Sequence, residues 1–454
     1  MQDINARRTR TWKAILSLHR EAEFAWVYFV PTHGAVRVRM VPIPAFTRMI
    51  EKGENISVAS VISHVLRNDH FAEGVPATGA LYLAPDLSTV SISPRLGEQH
   101  RLEVFAGLTQ HDGRPDPQCS RQKLLDLCDT LHRQHGYYIL VGYEIEVIFF
   151  KSDDAICQDS SDSSLVSNHR WSSVTSETRE LLPMVEAILR SLAKMQIQVQ
   201  QFHTESAPGQ WEFVLPPYEP LEAVDTLIRA RDIINLTAQD YGYRATLHPR
   251  PFKDHPGTGA HIHLSVNSVS QGSPHQTSTP QTDFFFGGII EHFASLMAFC
   301  LPLDVSYERV APSIWSGGEY VSWGWQNRHT PMRRIALDRF ELKLHCGTAN
   351  PYISLAAILA AGIDGLSRSI PLTAGPCPGE PSNLTAEERS SIGIFNMVPR
   401  SLEASLDHLA SDDMLLHVLG DSFVRPCVAV IKAWNEYLAS MDTRNRRRWL
   451  LQEY

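Results

Sequence analysis

This 454-residue sequence predicts an α+β fold with a small sheet-rich N-terminal part and a larger mixed part, and three observations predict it. Between Phe24 and Leu108, short strand-like segments (FAWVYFV, AVRVRMVPI, ALYLAPD, STVSIS, LEVFAGL) are separated by Gly, Pro and Asp, the punctuation of a small, mainly antiparallel sheet. Beyond that point helical stretches alternate with isolated strands rather than with a regular βα repeat. Four of those isolated strands also carry one apolar and one ionisable face.

The elements follow in order. Trp12, Ile15, Leu16 and His19 recur at i, i+3, i+4 and i+7, which predicts a first amphipathic helix rather than a transit or secretory leader. One helical insertion is expected around Ala59–Asn68. The turn-forming run HDGRPDPQ, His111–Gln118, marks a boundary between a domain over 1–112 and a second over 113–454. Helices are expected at Arg121–His135, Ser176–Met195, Pro220–Tyr241, Phe284–Leu301, Asn350–Ser369, Ser401–Ala410 and Ser422–Met441. Lys151–Thr175 and Ser268–Asp283, rich in Ser with Asp or Gln and Thr, read as loops.

Composition narrows the function. The chain is 43% hydrophobic, which excludes a disordered protein, and 41 Lys+Arg against 50 Asp+Glu leave a formal net charge of -9. An acidic surface lacks the basic footprint that nucleic acid or an anionic membrane requires. No apolar run reaches the ~18 residues of a membrane span. An acidic balance leaves small-molecule substrates open, and seven cysteines without a CxxC pair point to neither a disulfide framework nor a zinc knuckle, hence to a reducing, cytoplasmic setting.

The chemistry lies in the four inverted strands. Side chains alternate along a strand, so Glu144 and Glu146 share a face opposite Ile145, Val147 and Phe149. Glu212 opposes Trp211 and Phe213; His261, His263 and Ser265 oppose Ile262, Leu264 and Val266; Arg339, Glu341, Lys343 and His345 alternate with Phe340, Leu342 and Leu344. A single strand of this kind reads as a solvated sheet face. Four of them, rich in Glu and His, read as a cavity wall, because carboxylates at i and i+2 repel unless a cation compensates them. Glu144, Glu146, Glu205, Glu212 and Glu341 with His261 can supply two ions with three ligands each, and hard oxygen donors fit Mg²⁺ or Mn²⁺ better than structural zinc. Such a pair suits phosphoryl chemistry. Arg309, Arg328, Arg333, Arg334 and Arg339 add forked donors for phosphate or carboxylate. Neither a GxxxxGK[ST] loop nor a GxGxxG turn is present, so any nucleotide sits on another scaffold.

The segments GYEIEVIFF, HTESAPGQWEF, GTGAHIHLS, SYERVAP, NRHTPMRR and RFELKLHCGTANPY stand in the order and approximate spacing of the glutamine synthetase superfamily, which the chain resembles over nearly its whole length. That resemblance implies a small N-terminal β-grasp-like domain, a large catalytic domain with an open antiparallel barrel, and a homo-oligomeric ring whose sites are closed by the neighbour's N-terminal domain. It also implies ATP as cofactor with two or more Mg²⁺ or Mn²⁺. One ion would be held by Glu146, Glu205 and Glu212, the other by Glu144, His261 and Glu341. Arg309 would hold the amino-acid carboxylate, Gly257 the amino acid through its backbone, and Arg328 and Arg333 the phosphates. His263, Ser265 and Arg339 would face the nucleotide.

The departures from the family pattern direct the choice of substrate. After SYERVAP the flap reads SIWSGGEY, placing Trp315 and Ser316 where glutamine-forming members carry a Glu, with Glu319 only nearby. Around Ile56–Val61, where a neighbour's Asp is expected, no carboxylate stands. Ammonium needs anionic partners to bind and lose a proton, whereas Trp315 offers an aromatic wall for an organic amine. The Trp-containing flap is most similar to the branch with FluG-type proteins and γ-glutamyl-amine ligases. Pro256 replaces an Asn and Lys343 the last Arg of an RxExR pattern, both at the acyl-donor side. The expectation is an ATP-dependent ligase joining a carboxylate, glutamate foremost, to an organic amine through an acyl phosphate. The alternatives are a true glutamine synthetase and an inactive regulatory scaffold.

Overall fold

The computed structural model describes residues 2–76, 78–93, 100–151, 169–269, 280–311 and 317–454. It forms two compact units, one of Met1–Lys123, Arg190–Gln196 and Ser422–Trp434, the other of Leu124–Leu189, Ile197–Asp421 and Asn435–Tyr454.

In the first unit α1 (Gln2–Leu18) precedes β1 (Phe24–Phe29), β2 (Arg37–Pro42), α2 (Ile43–Lys52), β3 (Ile56–Ala59), β4 (Ala80–Pro85), β5 (Ser91–Ile92) and β6 (Arg101–Thr109). The sheet runs β2-β1-β6-β4-β3 with β5 on β6; β1 and β6 are parallel and the other pairs antiparallel. Trp12 anchors α1: it is 1% exposed, its indole donates to Thr47 Oγ1 at 2.9 Å, and its ring meets Phe46 edge-on. The sequence reading missed α2, whose buried Ile43, Phe46 and Ile50 are spaced i, i+3, i+7 behind a strand-like MVP. The helical insertion expected at Ala59–Asn68 is corrected to one 3-10 turn, Ser60–His64. The chain then turns back on itself through the Val65–Phe71 bridge, which uses backbone groups a longer helix would need.

The second sheet is built on the 15-residue strand β7 (Tyr137–Lys151), with β8 (Gln201–Thr204), β9 (Gln210–Val214), β10 (Tyr243–Thr246), β11 (Ile262–Ser268), β12 (Trp323–Trp325), β13 (Met332–Ala336) and β14 (Arg339–Leu342). Its order is β12-β13-β14-β11-β7-β9-β8, with β10 also on β7, and every pair except β12–β13 is antiparallel. The remaining helices are α3 (Ser120–Thr130), α4 (Ser176–Lys194), α5 (Pro220–Asp240), α6 (Pro280–Glu291), α7 (Phe293–Cys300), α8 (Pro351–Arg368), α9 (Ala386–Ser391), α10 (Leu402–Ala410), α11 (Asp413–Leu419), α12 (Asp421–Ser440) and α13 (Thr443–Glu453). No single helix among the described residues is long and apolar enough to cross a membrane.

The helix expected at Phe284–Leu301 is two helices, broken at His292, and the first begins inside the loop expected at Ser268–Asp283. The break has a polar cause: His292 Nε2 lies 2.9 Å from Asp364 Oδ2 on α8, and Nδ1 lies 2.8 Å from Asp412 Oδ2 beside α11. Most of the loop expected at Lys151–Thr175 lies outside the described residues. Helix α8 starts as its sequence dictates, with Pro351 in the first turn and the Asn350 side chain accepting from Tyr352 N. It packs on α6 so closely that a Cβ on Gly288 would collide with the Ala361 carbonyl oxygen and reach 2.7 Å from Gly365 Cα.

Candidate active site

Strand register assembles the ionisable faces. On β7, Glu146 stands opposite Glu212 of β9, which stands opposite His203 of β8. On the other side of β7, Gly142 pairs with His263 of β11, His263 with Glu341 of β14, and Glu341 with Arg333 of β13. The polar face is not solvated: Glu146 is 7% exposed, Glu212 8%, His261 7% and Glu341 2%. That excludes the reading of these strands as a water-facing charged edge.

Hydrogen bonds fix the first carboxylates. His261 Nδ1 lies 2.8 Å from Glu144 Oε2 and His263 Nε2 lies 2.8 Å from Glu144 Oε1. Glu146 Oε2 accepts from Gln210 Nε2 at 2.8 Å and from Gly259 N at 2.7 Å. Glu341 lies between Lys343 Nζ and Arg333 Nη1, each at 3.1 Å. Three groups bring one ligand atom per residue within 4.8 Å of one another: Glu144, Glu212 and His261; Glu144, His263 and Glu341; and His203, Glu205 and Glu212. These overlap the two expected triads without reproducing them, since Glu144 and Glu212 are each shared and Glu146 is drawn toward Gln210. His203 was not anticipated, although its i, i+2 spacing to Glu205 in HTE was the available signal.

The electrostatics separate two halves. Burial pushes Glu212 up, and repulsion from Glu144, Glu146 and Glu205 adds to it, reaching about 10. Burial and then Glu146 push Glu205 up to about 7. Burial also opposes charge on Glu341, but Lys343 and His261 prevail and hold it at about 2; His261 and His263 likewise outweigh burial at Glu144 and hold it well below the usual carboxylate range. The Glu144–Glu341 half therefore has counter-charge strong enough to outweigh burial, whereas at Glu205 and Glu212, with His203 Nε2 3.8 Å from each, the attraction of Lys343 is outweighed by burial and carboxylate repulsion. Buried carboxylates with unmet charge, beside imidazoles and in oxygen-rich company, fit a divalent cation.

The other expected residues fall as follows. Arg309 is 1% exposed, donating from Nη1 to His345 O at 2.9 Å and from Nη2 to Lys343 O at 3.2 Å, next to Gly257 and Gly259. Gly257 O accepts from Gln210 Nε2 at 3.1 Å. Ser265 stands opposite Arg339 in the β11–β14 ladder; Arg339 and Arg328 are exposed. Arg333 also donates to Gln326 Oε1 at 2.7 Å. Arg334 is structural, paired with Asp283 at 3.0 Å and stacked on Trp325. Glu319 pairs with Arg400, and Trp315 lies outside the described residues. His345 is locked by Ala260 O and Ser354 Oγ, both at 2.8 Å, and burial holds it neutral with a pKa of about 3.

The glutamine synthetase catalytic-domain family matches residues 117–449. The chain belongs to the glutamine synthetase family. It sits on a divergent branch: Protein fluG of Emericella nidulans is 38% identical over 434 residues, covering 95% of this chain and 49% of that protein, so the chain spans about half of that relative's length. Gamma-glutamylpolyamine synthetase GlnA3 of Streptomyces coelicolor is 28% identical over 422 residues, covering 88% and 87% of the two chains. Among solved structures, an ADP complex of GmaS superposes with a TM-score of 0.79 at 24% identity over 96% of this chain and 98% of that one, a likeness of fold. Glutamine synthetase family members are ATP-dependent C–N ligases that use divalent metals.

Proposed function

We propose that this glutamine synthetase family member joins the γ-carboxylate of glutamate to an organic amine, using ATP and two or more Mg²⁺ or Mn²⁺ ions. The observation that carries the metal-dependent ligase reading is the buried convergence of Glu144, Glu146, Glu205, Glu212 and Glu341 with His261, in which burial and mutual repulsion outweigh the counter-charge at Glu205 and Glu212. The choice of an organic amine is supported by the missing carboxylates in ISVASV and SIWSGGEY, and by similarity to a relative named for polyamine glutamylation.

Glu146, Glu205 and Glu212 would hold one ion and Glu144, His261 and Glu341 the other, with His203 at hand for the first. Divalent cations there supply charge neutralisation for the transferring phosphoryl group. Arg333, Arg328 and Arg339 would orient the triphosphate, with His263 and Ser265 on the nucleotide side. Arg309 would take the amino-acid carboxylate in exchange for its longer carbonyl contact to Lys343, while Gly257 offers main-chain contact too close-set for a side chain. Phosphorylation of the γ-carboxylate makes an acyl phosphate, and attack by the amine nitrogen then expels phosphate to leave the amide. In the same reading Trp315 walls the amine, Glu319 lies at the flap, Lys343 faces the acyl donor, the chain divides into a β-grasp-like domain at 1–112 and a catalytic domain at 113–454, and cytoplasmic rings place sites at subunit interfaces.

Incubation with ATP, Mn²⁺, glutamate and pooled amines, scored by mass spectrometry, should yield a γ-glutamyl amide that Glu212→Ala abolishes. Turnover with ammonium alone overturns the amine assignment. No turnover with any acid and amine pair overturns the ligase reading.

A further inference from the structure

The β11–β14 ladder ends at Ile262 and Leu342, and past that end a side chain joins the two segments. Ala260 N donates to His345 O at 3.1 Å, and Ala260 O in turn meets the His345 ring, whose Nδ1 lies 2.8 Å away. A carbonyl only accepts, so Nδ1 carries the proton; the ring, kept neutral by burial, then accepts at Nε2 from Ser354 Oγ of α8, 2.8 Å away. Ala260, His345 and Ser354 are all buried, so bulk water does not compete for these bonds.

Both ends of this tie lead to the proposed site. The His345 carbonyl also accepts from Arg309 Nη1 at 2.9 Å, while Lys343 O accepts from Nη2 at 3.2 Å. Ala260 stands between Gly259, whose N donates to Glu146 Oε2 at 2.7 Å, and His261, whose Nδ1 lies 2.8 Å from Glu144 Oε2. The spacing has no slack: a Cβ on Gly259 would come 2.5 Å from His261 Nε2 and 3.0 Å from Arg309 Nη2. His345 follows Glu341 and Lys343 in alternation, yet it stands in none of the three ligand groups among the described residues. Both of its ring nitrogens are engaged by Ala260 and Ser354, so neither is left for a metal or a substrate, and what the ring contributes is position.

Resting on the ligase reading, in which Arg309 takes the glutamate carboxylate, we infer that His345 is a positioning residue for the acyl donor: its bond to Ala260 O sets the Arg309 guanidinium against the segment Gly259–His261. Asn places its amide nitrogen near where Nδ1 stands and Gln near where Nε2 stands, so His345→Asn keeps a donor for Ala260 O and His345→Gln loses it. In the full-length protein with ATP, Mn²⁺, glutamate and an amine the wild type accepts, His345→Gln should raise the glutamate KM about tenfold, the scale of one buried hydrogen bond, and leave the ATP KM unchanged. His345→Asn should return the glutamate KM close to that of the wild type. Calorimetric titration of glutamate, with Mn²⁺ and a non-hydrolysable ATP analogue present, should give the same order in Kd without turnover. Loss of folded protein alone lowers kcat and leaves both KM values in place, so the split separates position from stability. Should the Gln variant be recovered unfolded, Ser354→Ala, which unhooks the ring from α8, takes its place with the same expectation. A wild type that neither binds nor turns over glutamate overturns the ligase reading and the role of His345 with it. A wild type that does both, while the Gln and Asn variants share one glutamate KM or the ATP KM rises with it, overturns the role of His345 alone.

Discussion

Replacing His292 by Ala tests how one buried imidazole holds the helices behind the catalytic sheet. The ring makes two charge-assisted contacts, 2.9 Å to Asp364 and 2.8 Å to Asp412, and Asp364 is 2% exposed. Such bonds are worth about 1.5–3 kcal/mol each, and stripping one partner from a buried ion pair costs about 3–5 kcal/mol. Arg368 Nε stays 2.8 Å from Asp364, and Asp412 Oδ1 keeps its cap on Leu415 N at 3.0 Å, so the low end, about 3 kcal/mol, is expected at pH 6. Burial opposes the imidazolium, but the bonds to Asp412 and Asp364 prevail and raise its pKa above 6.5. A raised folded-state pKa means the stabilisation is complete below the unfolded value and is lost as pH rises through the folded one. The gap between wild type and His292→Ala in urea denaturation should therefore narrow from pH 6 to pH 9. A gap under about 1 kcal/mol at pH 6, or one that does not change with pH, would refute the charged clamp.

Three further outcomes are expected. Mn²⁺ added after chelator treatment should raise the melting temperature of the wild type and leave Glu212→Ala nearly unmoved, because the variant relieves the repulsion the cation would neutralise; equal shifts by scanning calorimetry would contradict the ligand assignment. Gln210→Ala removes one of the two donors to Glu146 Oε2 and the contact to the Gly257 carbonyl together, and removal of such a supporting contact typically lowers metal affinity or activity about 10–100-fold. Because Gln210 Oε1 also accepts from the buried Ala207 N at 2.9 Å, a fall in stability of about 1–3 kcal/mol should accompany the loss. Gly288→Ala gains about 1 kcal/mol of helix propensity but drives a methyl into the Ala361 carbonyl oxygen of the α8 backbone, a clash that puts overpacking at the upper end, about 3 kcal/mol or more, so a net loss of at least about 2 kcal/mol is expected in chemical denaturation.

Much of the candidate site is legible along the chain because a strand displays alternate residues on one face. Glu144 with Glu146, and His261 with His263, declare a shared polar face without any three-dimensional information. The same periodicity exposes α1 through Trp12 and α8 through its apolar run. It fails at His292, where the sequence reads as one continuous apolar helix and two carboxylates from distant segments break it. It also fails at α2, whose three-residue spacing is hidden behind the strand-like MVP, and at His203, whose only local mark is one neighbouring Glu.

Sequence by itself determined the donor types, their faces and the family, since these depend on residue identity and local period. Tertiary structure alone decided how charge is shared: Lys343 and Arg333 compensate Glu341, the histidines compensate Glu144, and at Glu205 and Glu212 burial and repulsion outweigh the pull of Lys343. Coulomb energies and hydrogen bonds depend on distance and burial, and strand register sets both across more than a hundred residues of intervening chain.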